Sequence, residues 1–228
     1  MMDIDIEVWC SNLTVRLQST FGSELVFVGL QGSYGRKEAT PSSDIDVVVI
    51  LDEINAEKLG KYRGVINSMP YHERACGFIA GLMDVASWLP GEIFLLVNDT
   101  LPIYGSLEFL HRKYTKKDIA DFIKSSACAI YHGCCHNFLF ERDSAVLLSL
   151  YKATFFLLRT KYYHDNGTFI KREKDLALLL SGRDAEILNT KAKLSEVKQA
   201  ASADDFTEAS DLLISWCSDI INSPGNCL

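Results

Sequence analysis

At 228 residues, 48% of them hydrophobic and 23% charged, the chain is long enough for one large or two modest domains, each with its own core, and its composition is that of an ordinary globular protein. A formal net charge of −7 argues against a general nucleic-acid-coating role, which needs a strong basic field, and leaves room only for a local basic patch. No membrane span is expected either, because the most apolar run, Ala145 to Leu158, is too short and carries Lys152.

The first residues, Met1-Met2-Asp3-Ile4-Asp5-Ile6-Glu7, are acidic where a secretory signal needs positive charge followed by an apolar core. Seven cysteines, at 10, 76, 128, 134, 135, 217 and 227, are odd in number and scattered, which does not read as a disulfide framework. A cytoplasmic location is the expectation. The local cluster His132-Gly133-Cys134-Cys135-His136 invites a zinc reading, but adjacent cysteines lack the usual ligand spacing and the segment has a helical pattern.

Along the chain, Ile6, Trp9, Leu13 and Leu17 fall at helical spacing ahead of Gly22 and predict an amphipathic helix. A strand is expected from Leu25 to Leu30, a short helix from Ser33, and a second strand from Asp44 to Leu51. A helix near Glu57 to Met69, a strand around Ala75 to Ala80, helical pieces through Trp88 and Gly91 to Asn98, and a strand Leu101 to Tyr104 complete a small mixed sheet with helices. The character changes at His111-Arg112-Lys113-Tyr114-Thr115-Lys116-Lys117-Asp118. Beyond this basic run no strand-like alternation remains, and helices are expected near Lys116 to Glu141, Asp143 to His164, Lys171 to Leu180, Asp184 to Gln199 and Asp204 to Ile221. The reading is therefore α+β: residues 1–112 as a sheet-containing domain and 113–228 as an all-α bundle.

The segment richest in chemistry is Gly32-Ser33-Tyr34-Gly35-Arg36-Lys37-Glu38-Ala39-Thr40-Pro41-Ser42-Ser43-Asp44-Ile45-Asp46, followed by the apolar Val47-Val48-Val49-Ile50. Strand alternation puts Asp44 and Asp46 on one face, a few ångströms apart. Two carboxylates held side by side repel each other, and a divalent cation lets both stay ionised. Upstream, a strand that ends in Gly-Ser and turns into a helix offers free backbone N–H groups to an anion. The glycines at 29, 32 and 35 fit neither the dinucleotide fingerprint nor a Walker loop.

The stretch from Gly32 to Asp46 resembles the motif of the polymerase-β-like nucleotidyltransferases: Gly-Ser, about ten residues, then Asp-x-Asp. The two-part layout is similar to that of kanamycin nucleotidyltransferase and related aminoglycoside-modifying enzymes, with Leu101-Pro102-Ile103-Tyr104 closing the first domain. The resemblance implies that Asp44 and Asp46 hold Mg²⁺, with two ions in the working site, and that Gly32 and Ser33 hold the triphosphate of an NTP, ATP first among them. It gives Arg36 the role of neutralising phosphates, against the simpler reading of a solvated arginine beside Glu38. The implied reaction is attack of a hydroxyl on the α-phosphate with loss of pyrophosphate. Its acceptor is a small molecule, an aminoglycoside-like antibiotic included, or a protein. Relatives are often dimers with the active site between subunits, so a homodimer is a further expectation.

One departure from the family pattern stands out. A third carboxylate usually sits on the neighbouring strand, whereas Ala75-Cys76-Gly77-Phe78-Ile79-Ala80 has none; Glu73 just before it is the candidate, with Asp84 just after and Glu141 in the helical region as alternatives. A protein that binds nucleotide or a partner without turnover, in an antitoxin-like role, is therefore the competing expectation. Arg159 and His164 also fit the Arg-x4-His pattern of HEPN domains, some of which are ribonucleases, although a helix-terminal Arg and His beside Asp165-Asn166-Gly167 is the ordinary explanation.

Overall fold

The structure is a computed structural model in which residues 4–111, 113–196 and 203–223 are described. It divides into two compact units, Met1–Tyr114 and Thr115–Leu228.

In the first unit, helix α1 (Ile6–Phe21) starts at an N-cap Asp5 whose carboxylate accepts from the Val8 N–H, and it ends at Gly22. Its apolar stripe, Trp9, Cys10, Leu13, Leu17 and Phe21, is buried, as the spacing requires. Strand β1 (Leu25–Leu30), the single helical turn α2 (Gly32–Gly35), strand β2 (Ile45–Leu51), helix α3 (Ala56–Asn67), strand β3 (Ala75–Gly81), helices α4 (Leu82–Ala86) and α5 (Pro90–Asp99), and strand β4 (Leu101–Tyr104) follow. The sheet order is β3-β2-β1-β4, with β1 antiparallel to both β2 and β4 and β2 parallel to β3. This is the small mixed sheet that the sequence pattern implies.

Strand β2 is central and buried on both faces, which accounts for its unbroken apolar run. Ile45, Val47, Val49 and Leu51 pack with the α1 stripe; Val48 and Ile50 pack with Phe27 and with Ile93 and Leu96 of α5. Asp46 shares the parity of Val48 and Ile50, so its side chain belongs to the α5 face, at the open end of the sheet. Leu13 is fully buried in the α1 layer. Leu13→Ala should lower unfolding free energy by about 2–5 kcal/mol, read as a fall in the urea midpoint at unchanged slope.

In the second unit, helices α6 (Lys116–His136), α7 (Ser144–Asn166), α8 (Glu173–Ala177), α9 (Gly182–Glu196) and α10 (Ala203–Asn222) form a bundle in which α6 packs on α7 and α10, and α9 on α7 and α10. A capping box joins Thr115 and Asp118 at the start of α6. Buried polar atoms find partners across the bundle: the Tyr151 hydroxyl donates to the Ala209 carbonyl at 2.8 Å and the Trp216 indole to Asp184 at 2.8 Å. Two expectations shorten. The α6 pattern ends in a π-helical turn, Asn137–Glu141, and the helix expected over Lys171 to Leu180 is only the five residues of α8, with Leu178 exposed. Gln199, the expected end of α9, and Cys227 lie outside the described residues, as does Arg112 of the basic run. Among the described residues, no helix is long and apolar enough to cross a membrane.

Candidate active site

The site is assembled where β1 ends and β2 begins. The Gln31 N–H donates to the Asp46 carbonyl at 2.8 Å, tying the turn after β1 to the head of β2, and the Gln31 amide donates to Thr100 at 2.8 Å beside the start of β4. Between them, Gly32 takes φ +62°, a region that L side chains avoid. A Cβ at this position would lie 1.7 Å from Oδ2 of Asp46. The backbone of the Gly-Ser turn is thus seated directly against the carboxylate, a closeness that only glycine permits. The turn is one turn long: Gly35 and Arg36 donate back to the Gln31 and Gly32 carbonyls, and Lys37 follows at φ +59°. An anion there meets the open N–H groups of a first helical turn rather than the dipole of a long helix, since a single turn sums few peptide dipoles.

Asp44 is exposed and Asp46 partly so. Burial raises the Asp46 carboxyl above its ordinary value; the charges of Asp44 and Asp99 raise it further, while Arg36 pulls it down. Burial is the main cause, and the neighbouring carboxylates add to it. Arg36 is anchored rather than solvated: its side chain is 14% exposed, with Nε 3.3 Å from Glu38 and Nη1 3.8 Å from Asp99. Residues 12–80 match the family model for a nucleotidyltransferase domain. The match runs from α1 into β3 and takes in the whole Gly32–Asp46 motif.

No curated protein matches the chain. Among solved structures, the chain resembles in fold the crystal structure of spectinomycin adenyltransferase AAD(9) from Enterococcus faecialis with ATP and spectinomycin, at 13% identity and a TM-score of 0.53, over 95% of this chain and 100% of that one. At that identity the likeness is one of fold, the small mixed sheet with helices followed by a helical region.

The chemistry of the Asp44 and Asp46 carboxylates fits a hard divalent cation of the Mg²⁺ type. Among the described residues no three His, Cys, Asp or Glu side chains converge on one metal position, so Asp44 and Asp46 would supply two carboxylates and leave the other positions open. Mg²⁺ is commonly held in this way, by one or two carboxylates with water and substrate phosphates completing the shell.

The strand beside Asp46 carries no acid. In the parallel register Cys76 stands opposite Asp46 and Gly77 opposite Val47. Gly77 has φ +113°, and a Cβ there would lie 1.9 Å from the Val47 carbonyl oxygen, so the close approach of β3 to β2 leaves no room for a side chain at that point. Glu73 lies in the short 3₁₀ turn His72–Arg74, exposed, 3.9 Å from the His72 ring. Its neighbour Arg74 is the residue that reaches the motif, donating to the Ser43 carbonyl and the Tyr34 hydroxyl. Asp84 is placed at Gly81, where an added Cβ would meet its carboxylate. Neither Arg74 nor Asp99 is legible as a site residue from local pattern, because each acts across the sheet rather than along the chain.

In the helical unit, Glu141 is paired with His136 at 3.5 Å. Cys134 is buried, and burial pushes its thiol up to about 11. Among the described residues, no three metal-ligating side chains gather at the His132–His136 segment. Arg159 is fully buried, its guanidinium over the rings of Phe155, Phe156 and Phe169, with Nη1 donating to the Lys171 carbonyl at 3.4 Å. His164 instead sits on Asp165 at 2.9 Å. The ribonuclease reading needs an exposed Arg–His pair, and Arg159 is buried.

Proposed function

We propose that the protein is a Mg²⁺-dependent nucleotidyltransferase that moves NMP from an NTP, ATP first among them, to a hydroxyl of a small molecule. The observation that carries this reading is the seating of the Gly32 backbone on the Asp46 carboxylate, which joins a phosphate turn and a metal carboxylate into one cradle. Asp44 and Asp46 would hold the cation, Gly32 and Ser33 the triphosphate, and Arg36 would face the phosphates from its anchor on Glu38 and Asp99. When bound, Mg²⁺ would neutralise phosphate charge and the charge developing on the leaving pyrophosphate. In the transfer the acceptor oxygen bonds to the α-phosphorus, the bond from that phosphorus to the bridging oxygen breaks, and pyrophosphate leaves. The positioned carboxylates and turn supply orientation, which is the larger share of what phosphoryl chemistry asks of a protein. Spectinomycin, bound with ATP in AAD(9), is the first acceptor to try.

The acid-free β3 favours a second reading, in which the domain binds nucleotide without turnover. Titration calorimetry of each NTP with and without Mg²⁺, on wild-type and on Asp44→Asn/Asp46→Asn protein, separates the cases when followed by a pyrophosphate-release assay with candidate acceptors. The transferase reading expects binding that needs Mg²⁺, weakens at least about tenfold in the double variant and leads to pyrophosphate release. Binding with no release across acceptors, at high protein concentration, selects the second reading. Absence of NTP binding by folded wild-type protein refutes both.

A further inference from the structure

We propose that Arg74 is the positioning residue of this metal site, the staple that fixes the direction of Asp44. The inference rests on the transferase reading and deepens it. Arg74 ends the 3₁₀ turn before β3, yet its fork reaches two other segments. Nε donates to the Ser43 carbonyl at 3.0 Å, Nη2 donates to that same oxygen, and Nη2 also donates to the Tyr34 hydroxyl at 3.1 Å.

Those two acceptors belong to the two halves of the motif. Tyr34 lies in the Gly-Ser turn, and the Ser43 carbonyl belongs to the peptide that leads into Asp44. Fixing the plane of that peptide restricts ψ of Ser43 and φ of Asp44, and with them the direction in which the Asp44 carboxylate leaves the chain. The approach to Asp44 needs such a tie. Among the described residues, the other hydrogen bonds of residues 39–43 are local: Ser43 N–H to the Thr40 carbonyl at 3.0 Å, Thr40 N–H to the Ser43 hydroxyl at 2.8 Å, and contacts among the Thr40, Ser42 and Ser43 hydroxyls. Among the described residues, Arg74 is the one whose hydrogen bonds tie this loop to the Gly-Ser turn and to the start of β3. It is half-buried, so its fork is less free to wander than a surface arginine's, and a planar guanidinium can serve two acceptors at once where an ammonium acts as a point charge. Asp44, being exposed, has no packing of its own to hold it.

The test measures Mn²⁺, a spectroscopic stand-in for Mg²⁺, by loss of its free-ion EPR signal on the full-length protein without nucleotide, and ATP in EDTA by calorimetry. Arg74→Ala should weaken Mn²⁺ binding about 10–100-fold, the range seen when a residue orienting a metal ligand is removed, and leave metal-free ATP binding unchanged. Arg74→Lys should fall between, and Asp44→Asn sets the floor. Thermal melts show that each variant is folded; should Arg74→Ala not fold, Tyr34→Phe and Arg74→Lys report instead, as intermediate losses. Unchanged Mn²⁺ affinity in folded Arg74 variants overturns the inference while the transferase reading stands. A loss of metal-free ATP binding at unchanged Mn²⁺ affinity also overturns it, by making Arg74 a phosphate contact. Failure of the wild-type protein itself to take Mn²⁺ at millimolar concentration takes away the metal site and the inference with it.

Discussion

Asp46→Asn is expected to cut nucleotidyl transfer by about a thousandfold while making the apoprotein more stable at neutral pH. The activity figure follows from the cation: a bound metal supplies several kcal/mol of charge stabilisation, and each 1.36 kcal/mol is tenfold in rate, so about 4 kcal/mol corresponds to that loss. The stability effect comes chiefly from burial of the carboxyl, with the neighbouring carboxylates adding to it. Burial, with Asp44 and Asp99 nearby, raises the Asp46 carboxyl in the folded protein. A carboxyl raised on folding favours the protonated form, so its contribution is most favourable below the unfolded value, near pH 4, and is lost as pH rises through the folded one. At pH 7 the ionised Asp46 is therefore a cost, which an isosteric amide removes. Thermal melts of the metal-free proteins at pH 7 and at about pH 4 check this: the variant should melt higher at the first, and the gap should close at the second. A variant that melts lower at both would mean that Asp46 is held by favourable contacts and is no crowded metal ligand. Added Mg²⁺ should raise the wild-type melting temperature and leave that of the variant unmoved, since only a ligand that binds the folded form stabilises it.

Gly32→Ala should be nearly as damaging to activity for a different reason. One methyl group would be placed 1.7 Å from Oδ2 of Asp46, and the residue would have to keep φ +62°. Neither demand is met without movement. The alternatives are a displaced Asp46 side chain or a turn pushed off the head of β2, and both separate the phosphate turn from the metal carboxylate. A misplacement of about 1 Å costs on the order of a hundredfold in rate, and strain at a left-handed non-glycine residue costs roughly 1–3 kcal/mol. The check is steady-state pyrophosphate release together with urea denaturation. Loss of transfer beyond about a hundredfold with a fold still cooperative is expected. Wild-type turnover in Gly32→Ala would show that the turn and Asp46 do not act as one cradle.

Much of the first unit was legible in the sequence because its signals are local. The i, i+3, i+4 spacing from Ile6 to Leu17 and the Gly22 stop marked α1, and the apolar run Leu25 to Leu30 is β1 to the residue. Helix α8 was less legible. Lys171 to Leu180 carries a helical pattern, yet only Glu173–Ala177 is helical: Leu176 is buried, while Leu178 and Leu179 are exposed and give the helix no packing to extend on. Glu73 and Arg74 make the same point within the site. Adjacent in sequence, one is exposed beside His72 and the other crosses to Ser43 and Tyr34, a choice made by the direction of each side chain as the chain enters β3.

By itself the sequence determined the bipartite motif, the parity that puts Asp44 and Asp46 on one face, and the change from mixed sheet to helices near Tyr114. Each of these is a property of spacing within a few residues, where backbone geometry leaves little choice. Tertiary structure decided what spacing cannot encode: that Gly32 rests on Asp46, that β3 meets β2 with Cys76 opposite Asp46 and no room for a side chain at Gly77, that Asp99 anchors Arg36, and that Arg159 is buried among aromatic rings. The first three of these join separate segments of the chain, and all of them exist only once close packing has fixed which surfaces meet.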